Sequence, residues 1–212
     1  MKLEELVRKF GNLPIIEAET LVTGIPDPNS MKVQISRWEK AGKLIQLKRG
    51  VYLLSETYRK TSVFEPFIAS ILKKPSYVSL EKALEYYDLI PEGVTVCTSV
   101  TSKRPGEFFS KGGRFSYQHI KLSLFWGYVS VTLNGQTGFM ASPEKALLDF
   151  LYLKRLKITP EYIEELRLQN LEQIDLDKLL EYAKKFKKPR MLCAAKLVQK
   201  FIQSELEKEK KL

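Results

Sequence analysis

The sequence contains one histidine and two cysteines in 212 residues, and it lacks long apolar runs. Each shortage removes a class of chemistry. Any Ser-His-Asp or Cys-His site would need His119, which sits in the aromatic, strand-like stretch FSYQHIKLSLFWGY and reads as a structural residue. There is no HExxH, no Cys/His cluster with zinc spacing and no glycine-rich phosphate loop, so no metal, cofactor or enzymatic activity is expected. Glu144 and Asp149 share a helix at a spacing poorly suited to joint metal ligation. Cys97 and Cys193 are far apart and form no CxxC; in a reducing compartment both are expected to be buried free thiols. No stretch approaches the roughly 18 apolar residues of a membrane-spanning helix. The start, MKLEELVRKFGNL, places acids among its apolar residues and does not read as a signal peptide, so the expected location is the cytoplasm, without a membrane partner.

Positive charge, by contrast, is plentiful and uneven. The net charge is +10; residues 1–60 hold 11 Lys/Arg against 7 Asp/Glu, residues 61–177 hold 13 against 14, and residues 178–212 hold 11 against 4. Two basic ends flank a neutral middle. A basic surface attracts phosphate backbones and releases counterions on binding; a lysine-rich solubilising surface is the alternative from charge alone.

The hydrophobic pattern predicts the order of elements. Leu3, Leu6, Val7 and Phe10 form one face of a helix that Gly11 and Pro14 end. A short second helix fits residues 17–23, stopped by Gly24 and Pro26. Asp27-Pro28 opens a third, closed by Gly42. LIQL and VYLL then flank Lys48-Arg49-Gly50, a hairpin with a basic turn. Three helices followed by a hairpin is the order of a winged helix-turn-helix. Residues 59–66 read as a junction. Beyond it, helices are expected at 67–72 and 79–87, the latter capped by Ser79, and strands at 93–102, 114–121 and 127–133. Asn134-Gly135 is a two-residue hairpin turn, Ser142-Pro143 opens an apolar helix, and helices fill about 160–169, 175–186 and 190–209. The fold class is therefore α+β: a winged helix-turn-helix domain over residues 1–61, then a mixed α/β domain with a helical C-terminal end over residues 62–212.

On the third helix, Met31, Ile35 and Trp38 share one face and should pack inward. Asn29, Lys32, Val33, Ser36, Arg37 and Lys40 lie on or beside the other, free to enter a major groove. Lys48 and Arg49 at the hairpin tip are candidates for phosphate or minor-groove contact. Lys184, Lys185, Lys187, Lys188 and Arg190 form a second basic cluster, a partner or nucleic-acid surface or else a solvated helix end. Phe125, Trp126 and Tyr128 read as core rather than as a partner surface.

Four stretches carry a family likeness: RWEKAGKLIQLKRGVYLL at 37–54, YVSLEKALEYYDLIPE at 77–92, TSVTSKRPGEF at 98–108 with HIKLSLFWGY at 119–128, and ASPEKALLDFLYL at 141–153. In combination they resemble the AbiEi antitoxin family of bacterial abortive-infection toxin–antitoxin systems. The resemblance covers about residues 1–155, and the SPEKALLD helix with the HIK…GY strand is its discriminating part. It implies a winged helix that binds and represses the promoter of its own operon. It also implies a C-terminal domain that counters a nucleotidyltransferase-like toxin, in the type IV manner that need not require a stable complex. It maps no catalytic residue. The alternative is a solitary winged-helix regulator whose C-terminal domain senses a ligand or mediates assembly. A nucleic-acid enzyme would need a pocket gathering carboxylates, or His119 with an acid.

Overall fold

A computed structural model describes residues 1–12, 15–24, 27–154 and 157–209, with side chains through Lys208. Pro14 and Pro26, read above as helix punctuation, lie outside the described residues. Among the described residues the fold is mixed α/β, with two sheets and two apolar cores.

The chain opens with helix α1 (Leu3–Phe10), whose Leu6 is buried and whose Leu3, Val7 and Phe10 pack at the margin. A short strand β1 (Ile15–Glu17), absent from the sequence reading, precedes helix α2 (Ala18–Val22). Its apolar pair Ile15-Ile16 is too brief to show a period and becomes a strand only by pairing with a strand far along the chain. Helix α3 (Pro28–Lys40) starts at Asp27, whose carboxylate accepts from the backbone amides of Asn29 and Ser30. It ends in a Schellman turn: the Lys43 amide donates to the Trp38 carbonyl at 2.8 Å and the Gly42 amide to Glu39 at 2.9 Å, with Gly42 at φ +69°. Met31, Ile35 and Trp38 are all buried, as the periodicity requires.

Strands β2 (Leu44–Lys48) and β3 (Val51–Leu54) form the hairpin, and β1 adds to β3 to give a three-stranded antiparallel sheet of order β1-β3-β2. All four residues of β3 are buried. Tyr52 and Leu54 face the core made with α1, α2 and α3, whereas Val51 and Leu53, with Leu47, join the second core. An uninterrupted VYLL run fits a strand covered on both faces. The chain then closes on α1, with the Lys60 amide donating to the Gly11 carbonyl at 2.8 Å.

The second core is built around a six-stranded sheet of order β6-β7-β5-β4-β9-β8. Its strands are β4 (Ser76–Val78), β5 (Val96–Thr101), β6 (Gly106–Ser110), β7 (Gly113–His119), β8 (Tyr128–Leu133) and β9 (Gln136–Ala141). β5 runs parallel to β7 and β4 to β9, and the other neighbours are antiparallel. Helix α4 (Glu65–Leu72) covers one face, where Tyr117 Oη donates to the Ala69 carbonyl at 2.8 Å and Ser76 Oγ to Lys73 at 2.6 Å. Helices α5 (Leu80–Tyr86) and α6 (Pro143–Leu153) lie on the other side. They are backed by α7 (Pro160–Glu165), α8 (Leu176–Lys185) and α9 (Pro189–Glu209).

Several expectations need correction. Strands β4 and β6 were not legible as strands; β4 is three residues at the front of a stretch that otherwise reads as helix. Ser79 does not cap α5. Its hydroxyl donates to Asp149, and the cap comes from across the sheet: Thr98 Oγ1 accepts from the Lys82 amide at 3.0 Å and donates to the Ser79 carbonyl at 2.7 Å. Cys97 is buried, but Cys193 is exposed, because α9 buries Met191, Ala194, Ala195, Val198 and Ile202 and turns Cys193 outward. Phe125 and Trp126 are half-buried and Tyr128 is exposed at the sheet edge, although its ring stacks on Tyr77 at 4.7 Å between centroids.

The two units meet along a tight seam. A Cβ on Gly112, in the turn between β6 and β7, would lie 2.7 Å from Leu47 Cδ2 and 3.3 Å from Leu53 Cδ2. Gln136, fully buried, holds the connecting segment from below: Oε1 accepts from the Phe64 amide at 3.0 Å and Nε2 donates to the Ser62 carbonyl at 2.7 Å.

Candidate nucleic-acid interface

The outward face of α3 carries Asn29, Lys32, Val33, Ser36, Arg37 and Lys40, all exposed. The capped N-terminus and the Schellman turn fix the helix ends, and the three buried side chains fix its rotation. These six residues therefore form one continuous stripe, polar except for Val33, opposite Met31, Ile35 and Trp38. Val33 is 51 % exposed, an apolar residue among donors, and suited to contact a thymine methyl or a sugar. Glu39 is half-buried at the margin.

The hairpin departs from expectation. Arg49 is exposed at the turn, but Lys48 is not a free tip residue. The register between β2 and β3 shifts between Gln46 and Lys48, and the Lys48 ammonium turns into the seam. There it donates to the carbonyls of Ile71 at 2.7 Å and Leu72 at 3.1 Å, at the C-terminal end of α4. Burial, together with Lys74 nearby, lowers its pKa from the ordinary lysine value. The sequence showed a basic turn correctly; it did not show that the orphan carbonyls of a helix 23 residues away would claim one of its two cations.

The second basic cluster is exposed throughout. Lys185 pairs with Glu181 at 2.7 Å and lies over the Trp126 and Tyr182 rings. The Lys188 ammonium lies 5.0 Å from the Tyr152 ring centroid, and Arg190 Nη2 donates to the Leu151 carbonyl at 3.0 Å. His119 sits at the end of β7 with Nδ1 donating to the Lys103 carbonyl at 3.0 Å, exposed rather than inside the core.

One polar constellation was missed. Lys145 and Asp149, one turn apart on α6, are fully buried and bonded to each other. Tyr77 Oη accepts from Lys145 at 3.0 Å and donates to Asp149 Oδ2 at 2.9 Å, and Ser79 Oγ donates to the same carboxylate oxygen at 3.0 Å. The rings of Trp126 and Phe186 surround the ammonium at 4.9 and 5.2 Å. Burial pushes Lys145 down and Asp149 up from their ordinary values, and their mutual contact opposes both shifts. Burial, with Asp149 beside it, also drives the Tyr77 hydroxyl far up. Next to them, Glu144 accepts from Ser142 Oγ at 2.7 Å, from Lys178 at 2.9 Å and from the Asp175 amide at 3.2 Å, tying α6 to the start of α8. The signal in the sequence was an i, i+4 Lys/Asp pair on an otherwise apolar helix. The cluster is sealed from solvent and joins sheet to helix. Among the described residues, no group of three or more His, Cys, Asp or Glu side chains is placed to hold a metal ion, and no helix is long and apolar enough to cross a membrane.

No family model matches this chain, and no curated protein matches it. The reading of the interface therefore stands on the residues and their geometry.

Proposed function

We propose that this protein is a DNA-binding autorepressor whose first 61 residues act as a winged helix-turn-helix, with α3 as the recognition helix and Arg49 on the wing. The observation that carries the reading is the exposed stripe on α3, backed by buried Met31, Ile35 and Trp38, beside a hairpin with a basic turn. In such a module the recognition helix lies in the major groove and the wing meets the backbone. Asn29, Lys32, Ser36, Arg37 and Lys40 supply donors, and Arg37 has the reach for bidentate contact with guanine.

In the same reading the remainder of the chain is an antitoxin domain that counters a nucleotidyltransferase-like toxin encoded alongside. Its support is the resemblance of the SPEKALLD helix and the HIK…GY strand to the AbiEi family. Those motif residues have demanding positions here: Ser142 caps α6 by accepting from the Lys145 amide, Glu144 anchors α8, and Lys145 and Asp149 form the buried pair. Co-expression with the adjacent gene, scored by growth with and without this protein, tests that half.

Gel-shift titration on the upstream promoter at two salt concentrations tests the DNA half. Arg37→Ala is expected to weaken specific binding by about 1–3 kcal/mol. Arg49→Ala is expected to weaken all sequences alike and to reduce the salt slope by about one unit. Lys48→Met is expected to leave the salt slope unchanged, since its ammonium is held at the end of α4. If Arg37→Ala and Arg49→Ala both bind like the parent, α3 and the wing are not the interface.

A further inference from the structure

Behind the C-terminal end of β7 lies a cavity of about 490 Å³, lined by His119, Lys121, Tyr152, Leu153, Lys188, Arg190 and Met191. Its composition is lopsided. Four of the seven residues are basic, three are apolar or aromatic, and among the described residues no acidic side chain lines it. The groups come from three separate stretches of chain: the end of β7 with the turn after it, the last turn of α6, and the start of α9. A helix face or charge run in the sequence cannot produce this convergence, because only the packing of α9 against α6 brings Lys188 and Arg190 opposite Lys121 and His119.

Three of the four basic side chains are held in place. The Lys103 carbonyl fixes His119 through Nδ1, so Nε2 remains outside that bond. The Leu151 carbonyl holds one nitrogen of the Arg190 guanidinium, and the Tyr152 ring lies beneath the Lys188 ammonium. Like charges gathered in a concavity repel one another, and low-dielectric walls sharpen the field they create. Such an arrangement is relieved by an anion. The size suits a small organic ligand rather than a bare ion, and the mix of an apolar floor with a few convergent polar groups is that of a ligand pocket.

We propose that this cavity binds a phosphate ester of nucleotide size, with Lys121, Lys188, Arg190 and His119 around the phosphates and Tyr152, Leu153 and Met191 against the organic part. The site is separate from α3 and does not depend on the DNA-binding reading. The Lys121 and Lys188 ammonium groups act as point charges toward the phosphates, and Arg190, held against the end of α6, adds its positive charge to theirs.

Titration calorimetry on the full chain tests this with ADP, pyrophosphate and adenosine as probes, and with a single-stranded dodecamer as the source of phosphodiesters. ADP and pyrophosphate are expected to bind with one site per chain and adenosine to give no heat. Lys121→Ala/Lys188→Ala should weaken ADP at least tenfold while leaving the melting temperature within a degree or two of the parent. Lys9→Ala/Lys111→Ala removes the same charge elsewhere and should leave ADP affinity unchanged. The proposal is overturned if ADP gives no heat at millimolar concentration, if the two double variants lose affinity equally, or if the dodecamer binds through Lys121 and Lys188 while ADP does not.

Discussion

Lys145→Met is expected to destabilise the protein by roughly 3–5 kcal/mol, the usual cost of removing one partner of a buried ion pair. The side chains are of similar length, so the loss comes from Asp149, which keeps its negative charge or takes a proton in a site with no solvent. Tyr77 and Ser79 would still donate to it, and their two hydrogen bonds limit the damage without replacing a cation. Asp149→Leu alone should be comparably harmful, leaving the ammonium to the aromatic rings and the Tyr77 hydroxyl. The double variant Lys145→Met/Asp149→Leu should recover much of the loss, since neither charge is then stranded. Urea unfolding of the four proteins gives the coupling energy directly. If the single variants unfold at the parent's midpoint, Lys145 and Asp149 are not a closed pair in solution.

The second large effect falls in the other core. Trp38→Ala should cost about 3–5 kcal/mol, as for other large aromatic truncations. Trp38 is 4 % exposed among Leu6, Leu21, Met31, Ile35, Leu44 and Leu54, and its carbonyl receives the Lys43 amide that ends α3. The residues available to fill the void are few, because this core is small and closed by short elements. The expected phenotype is loss of folding in the first unit and, with it, loss of any DNA binding. Circular dichroism and calorimetry alongside the gel shift separate the two. A Trp38→Ala protein that melts like the parent but fails to bind would move the indole to the interface.

Separation of the two units is less simple than a junction at 59–66 suggests. Leu47, Val51 and Leu53 are part of the second core, and Lys48 closes the end of α4. A chain beginning near Ser62 would uncover the apolar seat of the hairpin as well as free the α4 carbonyls. The surface charge of an isolated second half would stay favourable, but its seam would not.

The sequence by itself determined the elements with strong local signals. The α3 periodicity gave its inner and outer faces, Asp27 and Gly42 marked its ends, and Ser142-Pro143 and Asn134-Gly135 located a helix start and a hairpin turn. Those features depend on residues within about one helical turn of one another, so the local pattern contains the whole cause. The rest was decided by partners distant in the chain. β1, β4 and β6 are strands only because another strand lies beside them. Thr98 rather than Ser79 caps α5, and Lys48 serves a helix end rather than the hairpin tip. His119 joins Lys121, Lys188 and Arg190 only when α9 packs home. For Thr98 and Lys48 a polar group took an unsatisfied partner close by in three dimensions, and burial raised the cost of leaving that partner unsatisfied. Sequence spacing carries no record of that choice.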